Sequence, residues 1–153
     1  MRMSPSSTST RTFVIWPLVV AAEQALSRRR AHAAGLPLLA AGYAAYKLAG
    51  AYRVPRAGGP PGMSQGMPDR LVEDGPYRYT RNPMYGGHLL FLAGLAVTTR
   101  SPVAAGLLGW HVKWFADRVA KDERRLQERF GEAYEKYRER TPRWSPRPNG
   151  GQK

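Results

Sequence analysis

Asn82-Pro83-Met84-Tyr85-Gly86-Gly87-His88-Leu89-Leu90-Phe91-Leu92-Ala93-Gly94-Leu95-Ala96-Val97-Thr98-Thr99 is a run of 18 residues without a charge, and after Arg100 a second run of 12, Ser101 to Val112, precedes Lys113. The pair reads as two apolar helices joined by a tight turn at Arg100-Ser101-Pro102. A membrane span takes about 20 apolar residues to cross about 30 Å of hydrocarbon. The cores of these runs stand near the lower limit, and either one alone would also suit a buried helix of a soluble protein. A third uncharged run, Ala31 to Tyr46, continues past Lys47 to Tyr52, with Lys47 late enough to snorkel toward an interface. The fourth, Thr12 to Ala22, stops at Glu23 and is the weakest. Arg2 and Arg11, with Val20-Ala21-Ala22 at the far end, make this fourth run also imitate a cleaved signal peptide, so spanning, surface-lying and cleaved forms all stay open. The fold class expected is all-α, a multi-span transmembrane bundle of four apolar helices with an amphipathic C-terminal helix on the cytoplasmic side.

Outward from these runs, the chain is short and strongly basic. Its 153 residues leave no room for a two-domain enzyme, and Lys+Arg 24 against Asp+Glu 11 gives +13, a balance that attracts anionic surfaces. Mean hydropathy is −0.49, an average over charged tails and apolar blocks that hides both. With no cysteine there is neither a disulfide framework nor a thiolate zinc site, and the three histidines lie far apart, so no metal site is expected. Nucleic-acid binding is permitted by charge, but the aromatics sit among apolar runs and no groove-reading helix or stacking sheet is recognisable.

Charge placement orients the spans. Arg53, Arg56, Arg70, Arg78 and Arg81, and a dozen more basic residues from Lys113 onward, flank a turn that carries only Arg100. By the excess of Lys and Arg on cytoplasmic loops, both polar segments lie inside and the Arg100 turn outside. Arg28-Arg29-Arg30 conflicts with this if the first two runs both span. Residues 53–75 read as a cytoplasmic loop rich in Gly and Pro, 76–144 as the motif-bearing half, and 1–11 and 145–153 as disordered ends of a single domain over 1–153. From Lys113 to Arg140 there is no proline, and Phe115, Val119, Leu126, Phe130, Tyr134 and Tyr137 recur on one helical face, with Gly131 placed to bend or split the helix.

Two clusters could carry chemistry. Gly75-Pro76-Tyr77-Arg78-Tyr79-Thr80-Arg81-Asn82-Pro83-Met84-Tyr85-Gly86-Gly87-His88 combines turn formers, three tyrosines, an amide and two guanidiniums. It suits either a ligand site, with aromatic faces for a cation and close backbone approach at the glycines, or an interfacial aromatic and arginine belt. On the long helix, Arg118 and Asp122 are four residues apart with Glu123 alongside, which makes either a surface ion pair or, with the first cluster at the same interface, part of one pocket. His88 has no second ligand at helical spacing and reads as a packing or ligand-contacting group, assigned to the substrate side. Asp69, Glu73 and Asp74 read as loop-capping and solvated.

At these clusters the sequence resembles the small integral-membrane methyltransferases that include isoprenylcysteine carboxyl methyltransferase and the phospholipid N-methyltransferases. The resemblance rests on Leu71-Val72-Glu73-Asp74-Gly75-Pro76-Tyr77-Arg78-Tyr79-Thr80-Arg81-Asn82-Pro83-Met84-Tyr85, then an apolar hairpin, then Asp122-Glu123-Arg124-Arg125-Leu126, Phe130-Gly131-Glu132-Ala133-Tyr134 and Pro142-Arg143. It implies a multi-pass enzyme of the cytoplasmic membrane that uses S-adenosylmethionine on the cytoplasmic side and receives a lipophilic acceptor from the bilayer. The implied cofactor site comprises Leu71, Val72, Tyr77, Arg81, Asn82, Pro83, Met84, Tyr85, Asp122 and Glu123, with Glu123 and Arg118 as catalytic residues and Arg118 and His88 facing substrate. The carboxyl methyltransferases have His where this chain has Asn82 and an all-Glu run where it has Asp122-Glu123; the amide form is common to the bacterial and phospholipid branches.

The residue types agree with in-line methyl transfer from a sulfonium, where alignment and exclusion of water dominate. Tyrosine faces suit the cation or adenine, a carboxylate suits ribose hydroxyls or the cofactor ammonium, and Arg118 suits an anionic acceptor or, for an amine acceptor, a lipid phosphate. Carboxylate, hydroxyl and amine acceptors stay open. The competing reading is a non-catalytic basic membrane protein that binds anionic lipids or a partner helix.

Overall fold

In the computed structural model, which describes residues 7–59, 63 and 66–144, the described chain is all-α. Six α-helices follow in order: α1 (Thr8–Thr10), α2 (Trp16–Ser27), α3 (Leu36–Ala57), α4 (Pro83–Thr99), α5 (Pro102–Phe130) and α6 (Glu132–Arg140). A π-helical turn, Arg11–Ile15, links α1 to α2, and 3-10 turns occupy Ala33–Gly35 and Gly75–Arg78. Helix therefore begins at Thr8, inside the 1–11 stretch expected to be disordered. Residues 1–6 and the expected disordered tail 145–153 lie outside the described residues.

The turn anticipated at Arg100-Ser101-Pro102 separates α4 from α5. Ser101 is buried, and its hydroxyl accepts from the Ala104 amide at 3.1 Å, satisfying one of the orphan donors at the start of α5, where Pro102 has none to lose. Beyond it the apolar run and the amphipathic segment form one 29-residue helix, since nothing between Pro102 and Phe130 breaks it. Gly131, at φ +50 and ψ −124, then occupies a positive-φ conformation that only glycine adopts cheaply, and α5 gives way to α6. The anticipated apolar face is the one buried: Phe115, Val119, Tyr134 and Tyr137 are almost wholly covered.

The end of α3 differs from expectation. α3 continues through Arg53 and Pro55 to Ala57, five residues into the stretch 53–75 read as loop. Tertiary contacts hold this last turn: Ala49 and Ala57 are both core residues, and the Arg70 amide donates to the Ala57 carbonyl at 2.8 Å. Among the described residues, no helix is long and apolar enough to cross a membrane. The apolar α4 has 17 residues, about 25 Å at 1.5 Å per residue, and the uncharged part of α5 ends at Lys113.

The chain divides into two compact units. The first comprises residues up to Tyr46 together with Tyr85–Phe115, and the second Lys47–Met84 together with Ala116 onward. In the first, α3 and α4 meet along glycines. Gly35, the last residue of the 3-10 turn that leads into α3, faces Gly94, and Gly42 of α3 faces Gly87, so that glycines seven residues apart on each side pair in antiparallel register. A methyl group at Gly87 would stand 2.7 Å from the Tyr46 amide nitrogen, and one at Gly94 would stand 2.6 Å from that of Leu39. Backbone touches backbone here. Around this seam Phe13, from the π-helical turn, packs its ring on Tyr43, Tyr46, His88 and Phe91 at 4.8–5.3 Å between centroids.

The second unit has its own core of Ala49, Ala57, Val72, Tyr77, Tyr134 and Tyr137, with Tyr52, Leu71, Met84, Leu126 and Phe130 packed against it.

Candidate functional site

The motif-bearing segment of the second unit is built around a turn that only glycine permits. Gly75 has φ +56, and a Cβ there would run into the ring of Tyr52. The Tyr52 hydroxyl donates to the Asp74 carboxylate at 2.7 Å, which docks α3 on the entrance to the Gly75–Arg78 turn. Asp74 thus serves as a tyrosine acceptor and makes no side-chain cap on that turn. Glu73 pairs with Arg140 and Asp69 with Arg129, so the loop acids are ion-paired.

Tyr77 is buried, and its carbonyl accepts from the Tyr137 hydroxyl at 2.7 Å. Burial pushes the phenols of Tyr77 and Tyr134 up to about 12, and that of Tyr137 higher still, so all three are neutral at physiological pH.

From Arg78 to Asn82 the chain is strapped to the segment after α6. The Arg81 amide donates to the Pro142 carbonyl at 2.9 Å, while the Thr80 hydroxyl and the Asn82 side-chain amide both donate to the Arg143 carbonyl, at 3.0 and 3.1 Å. The Asn82 amide nitrogen of the backbone donates back to the Thr80 hydroxyl at 3.3 Å.

Arg81 is the centre of this strap. Its Nε and Nη2 donate to Glu123 Oε1 at 3.2 and 2.7 Å, and its Nη1 serves the carbonyls of Arg138 and Thr141 at the end of α6. A guanidinium there satisfies carbonyls that the helix leaves without donors and complements the negative end of the helix dipole. Arg143 grips the same carboxylate from the other side, through Nε to Oε1 at 3.1 Å and through Nη2 to Oε2. Glu123 is thereby clamped between two guanidinium forks, while its neighbour Asp122, equally buried, has Arg118 and Arg125 at 3.6 and 4.0 Å.

Burial alone would raise the Glu123 carboxyl, but hydrogen bonds from Arg143 and Arg81, reinforced by their charges, hold it below the ordinary carboxylate range. A carboxyl depressed in the folded state gives stability that is complete above its unfolded value and is lost as pH falls through the depressed folded value. Thermal melts followed against pH should therefore stay level down to the usual carboxylate range and decline below it. Glu123→Gln should lack the part of that decline that belongs to this group; an identical acid profile in the variant would remove Glu123 from the account.

Of the residues singled out in the sequence, Leu71, Val72, Tyr77 and Met84 share the core of the second unit, Arg81, Asn82 and Glu123 share the strap, and Arg118 pairs with Asp122 as its spacing indicates. Pro83 opens α4. Tyr85 and His88 belong to the first unit, where Tyr85 packs on Phe115 at 4.9 Å and His88 lies among Phe13, Tyr46 and Phe115. Arg143, Thr80 and Tyr137 were absent from the candidate set; for Arg143 the only signal was its place in Pro142-Arg143 at the end of the motif.

Comparison with known proteins agrees with the motifs. The family model of phospholipid methyltransferases matches residues 31–133, a stretch that holds both clusters. Over 80 residues the chain is 32% identical to protein-S-isoprenylcysteine O-methyltransferase B of Arabidopsis thaliana, covering 50% of this chain and 40% of that protein. It is 34% identical over 79 residues to the protein-S-isoprenylcysteine O-methyltransferase of Schizosaccharomyces pombe, covering 50% and 33%, and 34% identical over 75 residues to a probable one from Oryza sativa subsp. indica, covering 47% and 38%. The chain thus spans between 33% and 40% of the length of these relatives. No solved structure matches it. With a family match that takes in the tyrosine-rich turn, the apolar hairpin and the acidic pair of α5, the chain belongs to the phospholipid methyltransferase family.

Proposed function

We propose that this protein transfers a methyl group from S-adenosylmethionine to a lipophilic, isoprenoid-like acceptor at a membrane, with its site on the cytoplasmic side. The observation that carries this reading is the family match across residues 31–133, which joins Leu71–Tyr85 and Asp122-Glu123 in one recognised pattern. Relatives named for O-methylation of isoprenylcysteine point to a lipophilic acceptor. A multi-pass membrane setting is supported by the large apolar side chains that the first unit leaves exposed, Leu18, Leu26, Leu36, Val97, Trp110 and Val112 among them, and by its backbone-to-backbone glycine seam.

The donor set of the second unit fits such a cofactor. When bound, S-adenosylmethionine supplies a methyl group on a sulfonium, and the neutral tyrosines and buried carboxylates of this unit suit a cation. We assign Asp122, the other buried carboxylate of the acidic pair, to the cofactor's ribose hydroxyls or ammonium, with Arg118 and Arg125 beside it, while hydrogen bonds from Arg81 and Arg143 commit the Glu123 carboxylate to the strap. Glu123, with Arg81 and Arg143, then acts as the rigid wall that fixes Asn82 and the Tyr77 turn. Leu71 and Val72 pack in the same core as Tyr77, and we assign their backbone to the cofactor's surroundings. Arg118 holds the anionic part of the acceptor.

Titration of S-adenosylhomocysteine into the detergent-solubilised protein should saturate. Asp122→Asn should weaken it about ten- to a hundredfold, the value of one hydrogen bond to a charged group, with binding read on the folded fraction. Absence of saturable binding in folded protein would refute the assignment, and undiminished binding in Asp122→Asn would remove this residue from it.

A further inference from the structure

Arginines gather at the end of the first unit where α2 and α4 stop. The His32 amide donates to the Thr98 carbonyl at 2.7 Å, Arg29 Nη1 to the Arg100 carbonyl at 3.3 Å, and the Gln24 side chain to the Thr99 carbonyl, so Arg28, Arg29, Arg30 and Arg100 share one end. All four are exposed. Glu23 is the one acid among the described residues of this unit, and it pairs with Arg29; the local balance is 4 − 1 = +3. Arg28 and Arg100, at φ 52 and φ 50, are the two non-glycine residues with positive φ among the described residues. Each occupies the position after a helix where glycine or asparagine costs least. Exposed Leu26, Leu36, Val97 and Val103 belong to the segments that frame these arginines.

We infer that this end of the first unit is a docking surface for the phosphate headgroup of an anionic phospholipid, with Arg28, Arg30 and Arg100 meeting the phosphate and Leu26 and Leu36 lying along its acyl chains. Cations at helix C-termini complement the helix dipole, and that role accounts for a charge at each end. It does not account for three guanidiniums beyond the Arg29–Glu23 pair next to bare leucines. A free inorganic anion would use the charge and leave the apolar rim in water, whereas a lipid uses both. The inference rests on the membrane reading proposed above, though not on methyl transfer.

The test is native mass spectrometry of the full chain in detergent, titrated with phosphatidylglycerol, phosphatidylcholine or inorganic phosphate. Phosphatidylglycerol should bind in preference to phosphatidylcholine. The triple variant Arg28→Asn, Arg30→Gln, Arg100→Asn should bind it about a hundredfold more weakly, from the attraction of each basic residue for an anionic surface. Asparagine tolerates the left-handed conformation, so the variant should melt no lower than the parent in lipid-free detergent. A variant with lysine at all three positions should retain preference. Equal binding of the two lipids, undiminished binding by the triple variant, or phosphate competing as well as the lipid would each overturn the site. A chain that carbonate extracts from membranes refutes the membrane reading and this surface with it, while a retained chain showing equal binding refutes the surface alone.

Discussion

Glu123→Ala should lower stability by about 3–5 kcal/mol, the cost of stranding a buried charge by removal of its partner. The side chains of Arg81 and Glu123 are only 8% and 10% exposed, so water cannot replace the lost carboxylate. Arg143 is 44% exposed and can rehydrate when the pair breaks, so Arg143→Ala should cost no more than about 1 kcal/mol from its charge. The contrast between Glu123→Ala and Arg143→Ala is a sharper test than either value alone. Replacing Arg81 and Glu123 together by Met and Leu should recover part of the loss, because an apolar pair of similar volume replaces an ion pair at little cost. Recovery should stay incomplete, since Arg81 also serves the carbonyls of Arg138 and Thr141. Thermal and denaturant melts in detergent read all three variants. An unshifted midpoint for Glu123→Ala would mean that the strap carries no weight in the fold.

Gly42→Ala, Gly87→Ala and Gly94→Ala should each cost about 1–3 kcal/mol or more, as overpacking does when the obstacle is backbone and cannot rotate away. The new methyl at Gly87 would sit 2.8 Å from the Gly42 carbonyl oxygen and 2.7 Å from the Tyr46 nitrogen, so α3 and α4 must separate along their length. Gly42 and Gly87 face each other, and their double variant should therefore cost less than the sum of the two singles, one separation serving both. Gly106 and Gly109 on α5 supply the control, for a methyl at either meets nothing. Alanine there should stabilise the helix by about 0.5–1 kcal/mol through the unfolded chain. If alanine is tolerated equally at seam and control positions, the close approach of α3 and α4 is not real.

Local signals in the sequence reached the local structure. The end of the uncharged run, with Pro102 after Ser101, located the α4–α5 turn; Gly131 located the α5–α6 break; and the spacing from Phe115 to Tyr137 identified the buried face. All of these depend on neighbours within a few residues. The pairing of Gly35 with Gly94 was not legible, because seven-residue spacing on each helix becomes meaningful only once antiparallel contact is known. The clamp on Glu123 was hidden for the same reason, since its arginines are 42 positions before it and 20 after it. Arg118 and Asp122, four residues apart on one helix, could be paired in advance. The extension of α3 through Pro55 ran against local propensity and is held by Ala49, Ala57 and Arg70, contacts that no window around proline contains. Leu71 and Val72 entered the candidate site only through family resemblance, whereas Tyr77 already stood in the tyrosine-rich cluster.

The strap also sets an order of events during synthesis. Thr141, which receives the Arg81 guanidinium, follows it by 60 residues, a delay of roughly 3–12 s at about 5–20 residues per second on the ribosome. Within that interval Arg81 and then Glu123 are made before their last partners, whereas Gly94, the last glycine of the α3–α4 seam, is made before Glu123. The nascent chain therefore finishes its seam early and locks its charged half late, leaving a period in which a chaperone or a protease would meet the second unit still unlatched.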